Sequence, residues 1–184
     1  MVNAIHIVKR NGTKEELNIE KIHFVVQNAC DGLAGVSSSQ IEMNANIQFY
    51  DGMSTNEIQE ILIRSANDLI SLESPNYQTA AARLLGYALY KQVFGQYDSI
   101  PFIEMINKNI ERGLYDPAIL ESYTKEEIAT FDRYIHHKRD ENFTYAGLRQ
   151  VVDKYLVQDR STGELFETPQ HMYMMIAATL FANY

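Results

Sequence analysis

An Asn-Gly pair between two short alternating runs constrains this chain from its first turn. In Ile5-His-Ile-Val-Lys-Arg-Asn-Gly-Thr-Lys-Glu-Glu-Leu17, Ile5, Ile7 and Lys9 alternate with His6, Val8 and Arg10. Asn11-Gly12 supplies the two positive-φ residues of a two-residue hairpin turn, which predicts Lys9 and Arg10 at fixed strand positions beside it. The return strand, Thr13 to Leu17, runs into Asn18, a favourable N-cap. The helix after it repeats Ile22, Val25, Val26, Ala29 and Leu33 at helical spacing. Backbone amides at that helix start, with Lys21 one turn in, suit an anion. The polar groups that can converge on one ligand are Lys9, Arg10, those amides, Lys21, Thr55 and Lys91. Each also has a plain structural role. Lys91 near the end of its helix offsets the dipole, Thr55 helps start its own helix, and Glu15 and Glu16 can pair with Lys14 and Lys9 across the strands.

Beyond the hairpin the pattern turns helical, with well-marked starts. Ser37-x-x-Gln40, Ser54-x-x-Glu57 and Thr124-x-x-Glu127 match the capping box, and Ser74-Pro75 puts proline at a first helical position. The spacing predicts helices near 20–34, 38–46, 55–72 and 75–94. The third should bury Ile58, Ile61, Leu62, Leu69 and Ile70, and the fourth Ala81, Leu84, Leu85, Ala88 and Leu89. Gly95 marks a boundary, dividing the chain into 4–95 and 96–184. Shorter helices follow at 101–112, 117–122, 125–138 and 144–154. A second small hairpin pairs Tyr155–Gln158 with Glu164–Glu167, and the polar run Arg139–Asn142 reads as a solvated connector. Thr168-Pro169 then opens a helix to Tyr184 that is apolar almost all round, so burial on every side is expected. It is too short to span a bilayer, and we expect the chain to end inside a larger body, as a fragment or beside another polypeptide.

Composition narrows the function classes. With 184 residues, 46% of them hydrophobic, the chain can build an ordinary core. A net charge of −8 argues against a protein that wraps nucleic acid. Residues 1–23 carry four Lys/Arg against three acidic residues, so this end alone is slightly positive and can draw in a small anion. Cys30 is the one cysteine, which rules out an internal disulfide or a cysteine-rich zinc site and reads as a small buried filler. Without a signal peptide or a long apolar run, a cytoplasmic protein is expected, with no membrane partner.

Val8-Lys-Arg-Asn-Gly12 followed by Leu17-Asn-Ile-Glu-Lys-Ile22 resembles the ATP-cone. Further motifs, Ile47-Gln-Phe-Tyr-Asp-Gly52, Ala66-Asn-Asp-Leu-Ile-Ser71, Ala81-Ala-Arg-Leu84, Phe94-Gly-Gln-Tyr97, Lys154-Tyr-Leu-Val-Gln158 and Glu167-Thr-Pro-Gln170, resemble the N-terminal region of the large, catalytic subunit of class I aerobic ribonucleotide reductase. The resemblance covers essentially the whole chain. It implies a mainly α fold with small β-hairpins: an ATP-cone, a β-cap over a helical bundle, followed by an α-helical N-terminal segment of the reductase large subunit.

It also implies an allosteric activity site for ATP or dATP, bound with Mg2+, that controls reduction of ribonucleotides to deoxyribonucleotides for DNA synthesis. By matching positions, Lys9 and Arg10 would contact phosphates. Glu15, Glu16, Leu17, Asn18, Ile19, Glu20 and Lys21 would line base, ribose and phosphate, and Thr55 and Lys91 would complete the pocket. The family's site histidines are replaced by Gln59 and Ala88, and Glu57 stands where aspartate is usual; His6, His23, His136, His137 and His171 fall elsewhere. The implied partners are the remaining catalytic part of the large subunit and the radical-bearing small subunit, in a hetero-oligomer. No redox cofactor, metal site or catalytic residue is expected in this chain. Two rival readings are a helical interaction module that ignores nucleotide, and an ATP-cone repressor, whose zinc-ribbon cysteines are missing.

Overall fold

The computed structural model describes residues 5–182. It is mainly helical with one two-stranded antiparallel sheet, and the chain divides into two compact units. One runs to Ala88 and includes Phe143–Arg149; the other comprises Leu89–Asn142 and the residues from Gln150 onward.

The first unit begins with β1 (His6–Val8) and β2 (Lys14–Glu16), paired in the register His6↔Glu16, Ile7↔Glu15, Val8↔Lys14. The turn differs from the two-residue form. Lys9 N–H donates to the Thr13 carbonyl and Gly12 N–H to the Lys9 carbonyl, both at 2.8 Å, so Arg10, Asn11 and Gly12 make a three-residue loop with Gly12 at φ +79°. The Asn11 side chain selects it by accepting from both the amide and the hydroxyl of Thr13, at 3.1 and 2.7 Å. Lys9 therefore sits just past β1, and Arg10 sits in the loop instead of on a strand.

Four helices follow: α1 (Ile19–Cys30), α2 (Ser38–Asn46), α3 (Thr55–Asn67) and α4 (Tyr77–Phe94). Val26, Ala29, Ile41, Ala45 and Met53 are fully buried, with Ile58, Ile61, Leu62 and Ile63 of α3 close behind. Cutting such a buried aliphatic chain back to alanine costs about 2–5 kcal/mol. Pro75 precedes α4 by two residues, in a turn whose carbonyl accepts from Gln78 N–H. Helix α3 stops five residues short of expectation. Asp68 N–H closes onto the Arg64 and Ala66 carbonyls, leaving Ile70 exposed and Leu69 only partly covered. The Ser37 motif forms half a capping box: Ser37 Oγ accepts from Gln40 N–H, but the Gln40 amide is diverted to accept from the Tyr77 hydroxyl at 2.5 Å. The boxes at Ser54/Glu57 and Thr124/Glu127 are complete.

In the second unit, α5 (Phe102–Glu111), α6 (Ala118–Ser122), α7 (Lys125–Phe131) and α9 (Pro169–Leu180) pack around Phe102, Met105, Ile106, Ile128 and Ala178. Helix α8 (Tyr145–Lys154) crosses the unit boundary, as does α4. Helix α7 ends at Phe131, before the expected 138, because Asp132 turns its carboxylate to accept from Phe102 N–H at 2.9 Å. A 3-10 turn, His137–Asn142, follows. Arg139, Glu141 and Asn142 are exposed as the solvated-connector reading has them, but Asp140 is buried: Tyr90 donates to one carboxylate oxygen at 2.9 Å and Gln170 to the other at 2.8 Å.

The expected second hairpin reduces to one antiparallel bridge, Gln158↔Leu165. Its ladder is interrupted because Val157 N–H donates to the Glu167 carboxylate at 2.8 Å. Helix α9 is covered on one face, through His171, Met172 and Ala178, while Tyr173, Ile176 and Leu180 are exposed within this chain. Within this chain the packing of α5–α7 reaches one face alone, so burial on every side would need a further packing partner. Residues 183–184 of that predicted helix lie outside the described residues.

Candidate functional site

The hairpin is fastened to the start of α3 by its own backbone. Val8 N–H donates to the Met53 carbonyl at 2.9 Å, Gly52 N–H donates to the His6 carbonyl at 2.7 Å, and Val8 and Ser54 form a parallel bridge. His6 N–H adds a bond of 2.7 Å to the Asp51 carboxylate, which holds that carboxyl below its usual range. The segment Asp51–Ser54 thus acts as a third strand on the free edge of β1. The other edge carries β2, and β2 leads directly into α1. Two helix starts are in this way tied to one hairpin, and each carries the positive end of a helix dipole.

The tip residues split into two arrangements. Arg10 reaches over α3, its Nε–H donating to Asn56 Oδ1 at 2.9 Å and an Nη2–H to Gln59 Oε1 at 3.4 Å. Lys9 turns the other way, and its ammonium lies 2.5 Å from the Glu15 carboxylate with both side chains more than a third exposed. The Lys9 hydrogen bond holds the Glu15 carboxyl below its usual range, and the charge of Lys21 adds to this. Lys9 and Lys21 thus both act on the Glu15 carboxylate. Asn18 caps α1 by accepting from Lys21 N–H at 3.0 Å, and Glu20 lies in the exposed first turn, where a carboxylate complements the dipole.

The rest of the stretch is structurally quieter. Glu16 is exposed opposite His6, Leu17 donates its N–H to the Ile5 carbonyl, and Ile19 is 58% exposed at the first helical position. Thr55 is partly buried immediately after the Ser54 cap. Lys91 belongs to the second unit, where its ammonium stands 5.0 Å from the centre of the Tyr97 ring. The other ten candidate residues share the first unit, and Lys91 is carried by α4, whose residues up to Ala88 belong to that unit.

Sequence reasoning missed Asn56, Tyr50 and the Asp51 strap. Tyr50 donates to Glu57 Oε1 at 2.7 Å while the Ser54 N–H donates to Oε2, also at 2.7 Å. The Ser54 bonds and the Tyr50 hydroxyl together pull the Glu57 carboxyl down to about 2. Asn56 and Glu57 also line a cleft of about 570 Å3 with Tyr50, Glu60, Arg64 and Tyr145. Tyr-Asp-Gly before a serine cap is a visible turn signal; nothing in the sequence marks Asn56. Cys30 is half-buried and burial pushes its thiol up to about 11, which leaves it protonated and inert. Among the described residues no cluster of three or more His, Cys, Asp or Glu can hold a metal, and no helix is long and apolar enough to cross a membrane.

Residues 5–92 match the ATP cone domain family, and residues 141–184 match the ribonucleotide reductase, all-alpha domain family. The chain is 46% identical to ribonucleoside-diphosphate reductase 1 subunit alpha of Escherichia coli K12 over 97% of its own length and 23% of that protein. It is 44% identical to the corresponding subunit alpha of Haemophilus influenzae over its full length, 24% of that protein. Against the subunit alpha of Enterobacteria phage T4 it is 42% identical, over 97% of this chain and 24% of the relative. The chain spans about a quarter of the length of these relatives. An ATP cone followed by the reductase all-alpha domain places the chain in the ribonucleoside-diphosphate reductase alpha-subunit family, as the N-terminal region of that subunit.

Proposed function

We propose that the first unit binds ATP or dATP at the hairpin and thereby regulates a ribonucleoside-diphosphate reductase. The observation that carries this is the grouping of Lys9, Arg10 and Lys21 around two helix starts held by one hairpin. A triphosphate needs several cations and aligned donors, which Lys, Arg and helix-start amides supply. The donor set fits. Arg10 is presented by neutral amides, and Lys9 would exchange Glu15 for phosphate oxygens on binding. Glu15, Glu16, Asn18 and Glu20 offer acceptors and donors for ribose and adenine edges, with Leu17 and Ile19 as apolar walls and Thr55 and Lys91 completing the site. A Mg2+ ion would arrive with the triphosphate, since a divalent ion of this kind is held largely through substrate phosphates.

On this reading residues 4–95 are the sensor and 96–184 the body segment that receives the signal. The protein works in the cytoplasm with the catalytic part of the large subunit and the radical-bearing small subunit. By itself the chain is catalytically silent, since one cysteine cannot furnish both a thiyl radical and a reducing pair. It neither wraps nucleic acid nor enters a membrane.

Titration calorimetry of the folded chain with ATP and dATP tests the reading. Each should bind, and Lys9→Ala together with Lys91→Ala should weaken binding at least tenfold. No heat at millimolar nucleotide would overturn the sensor role and leave a packing module. Equal affinity in the double variant would place the pocket elsewhere.

A further inference from the structure

We propose that Asn56 is the positioning residue for the phosphate-binding arginine: its side-chain amide fixes the plane of the Arg10 guanidinium before nucleotide arrives. This rests on the reading of Arg10 as a phosphate contact. An arginine in an exposed loop is long and conformationally free, and ordering it opposes binding. Here the side chain is already ordered. Asn56 Oδ1 accepts the Nε–H at 2.9 Å, and Gln59 Oε1 takes an Nη2–H at a longer 3.4 Å, so one edge of the planar fork is held against the first turns of α3. Asn56 makes the shorter contact and makes it to Nε, the nitrogen nearest the pivot of the head group. Both acceptors are neutral, so they orient the cation without supplying a counter-charge.

Lys9 shows the alternative. It too is held, but by the carboxylate of Glu15, which must be displaced for the ammonium to serve an anion. Asn56 itself is fixed by position. It is the second residue of α3, enclosed by the Ser54–Glu57 capping box, and the backbone pairing of Val8 with Met53 holds the hairpin against that turn. The reach from Arg10 to Asn56 is thereby set by main-chain bonds and not by chance side-chain contact.

The test is a double-mutant cycle on the full chain, reading ATP and AMP affinity by calorimetry for wild type, Arg10→Ala, Asn56→Ala and the pair. Asn56→Ala should weaken ATP about five- to tenfold, the size expected for the net contribution of one ordinary hydrogen bond. The loss should be smaller for AMP, which carries fewer phosphate oxygens. In the Arg10→Ala background the Asn56 change should add nothing. A loss equal for ATP and AMP, or fully multiplicative with Arg10→Ala, would overturn the positioning role. If Arg10→Ala binds ATP like wild type, the site reading falls and this proposal with it. If Arg10→Ala is weak while Asn56→Ala is normal, only the positioning role falls. Unchanged circular dichroism and melting in Asn56→Ala separate these outcomes from misfolding; should that variant melt early, Gln59→Ala replaces it in the cycle and should couple to Arg10 in the same sense but more weakly.

Discussion

Two glutamates, Glu15 and Glu167, show how differently the two units use the same side chain. Glu15 lies on the hairpin, a third exposed, with Lys9 as its ion-pair partner. Glu167 is 2% exposed and accepts from the Tyr115 hydroxyl and from Val157 N–H. The Lys9 hydrogen bond lowers the Glu15 carboxyl, whereas burial raises that of Glu167. An exposed pair can exchange one partner for another at small cost, which suits a site that trades a carboxylate for a phosphate. A buried carboxylate with two donors cannot be released without stranding them, which suits a fixed joint.

That contrast breaks first at Glu167. Its replacement by alanine leaves Tyr115 and Val157 without their acceptor and opens a void, so urea denaturation should report a loss of about 3–5 kcal/mol. A loss under 1 kcal/mol would mean the second unit is no more fixed than the hairpin. Asp140 gives the next largest effect, with opposite sign. Burial raises its carboxyl to about 6, so between about pH 4 and 6 the folded state binds more protons than the unfolded chain, and Asp140 opposes folding increasingly as pH rises. Asp140→Asn should therefore lose this slope, gaining about 1–2 kcal/mol relative to wild type between pH 4 and pH 8. His171 slopes the other way, because burial lowers its ring to about 3 and its contribution is lost as pH falls from 6.5. Melting across pH 4–8 separates the two.

A smaller effect is expected at the start of α3. Ser54→Ala removes half of the capping box and should cost about 1 kcal/mol by thermal melting. Smallest is Glu15→Gln, which should leave the melting temperature close to that of wild type, because exposed ion pairs contribute little. A Glu15 effect as large as that of Glu167 would erase the distinction between the units.

What was legible in the sequence was local. Asn18, Ser54 and Thr124 cap the helices they were expected to cap because side chain and amide are three residues apart. Apolar spacing placed Ile22, Val26, Ile58 and Ile61 in the core for the same reason. What was not legible was decided at long range. Gln40 satisfies its local motif on paper but bonds to Tyr77, Asp132 leaves its own helix to cap α5, and Asp140 is buried by Tyr90 and Gln170. In the candidate site the cations could be read from composition, but the neutral amide that orders Arg10 could not, since its role comes from a partner 46 residues away.

The strap at Asp51–Ser54 also sets a timetable. Its bonds to His6 and Val8 join residues separated by some 45 positions, while the hairpin turn and each helix close over a few. Long loops close late, and the contacts they support open early. The strap should thus be the last part of the first unit to form and the first to breathe. Amide exchange at Val8 and Gly52 would act as a clock for it, slowing when an effector occupies the hairpin while the centre of α3 keeps its own pace.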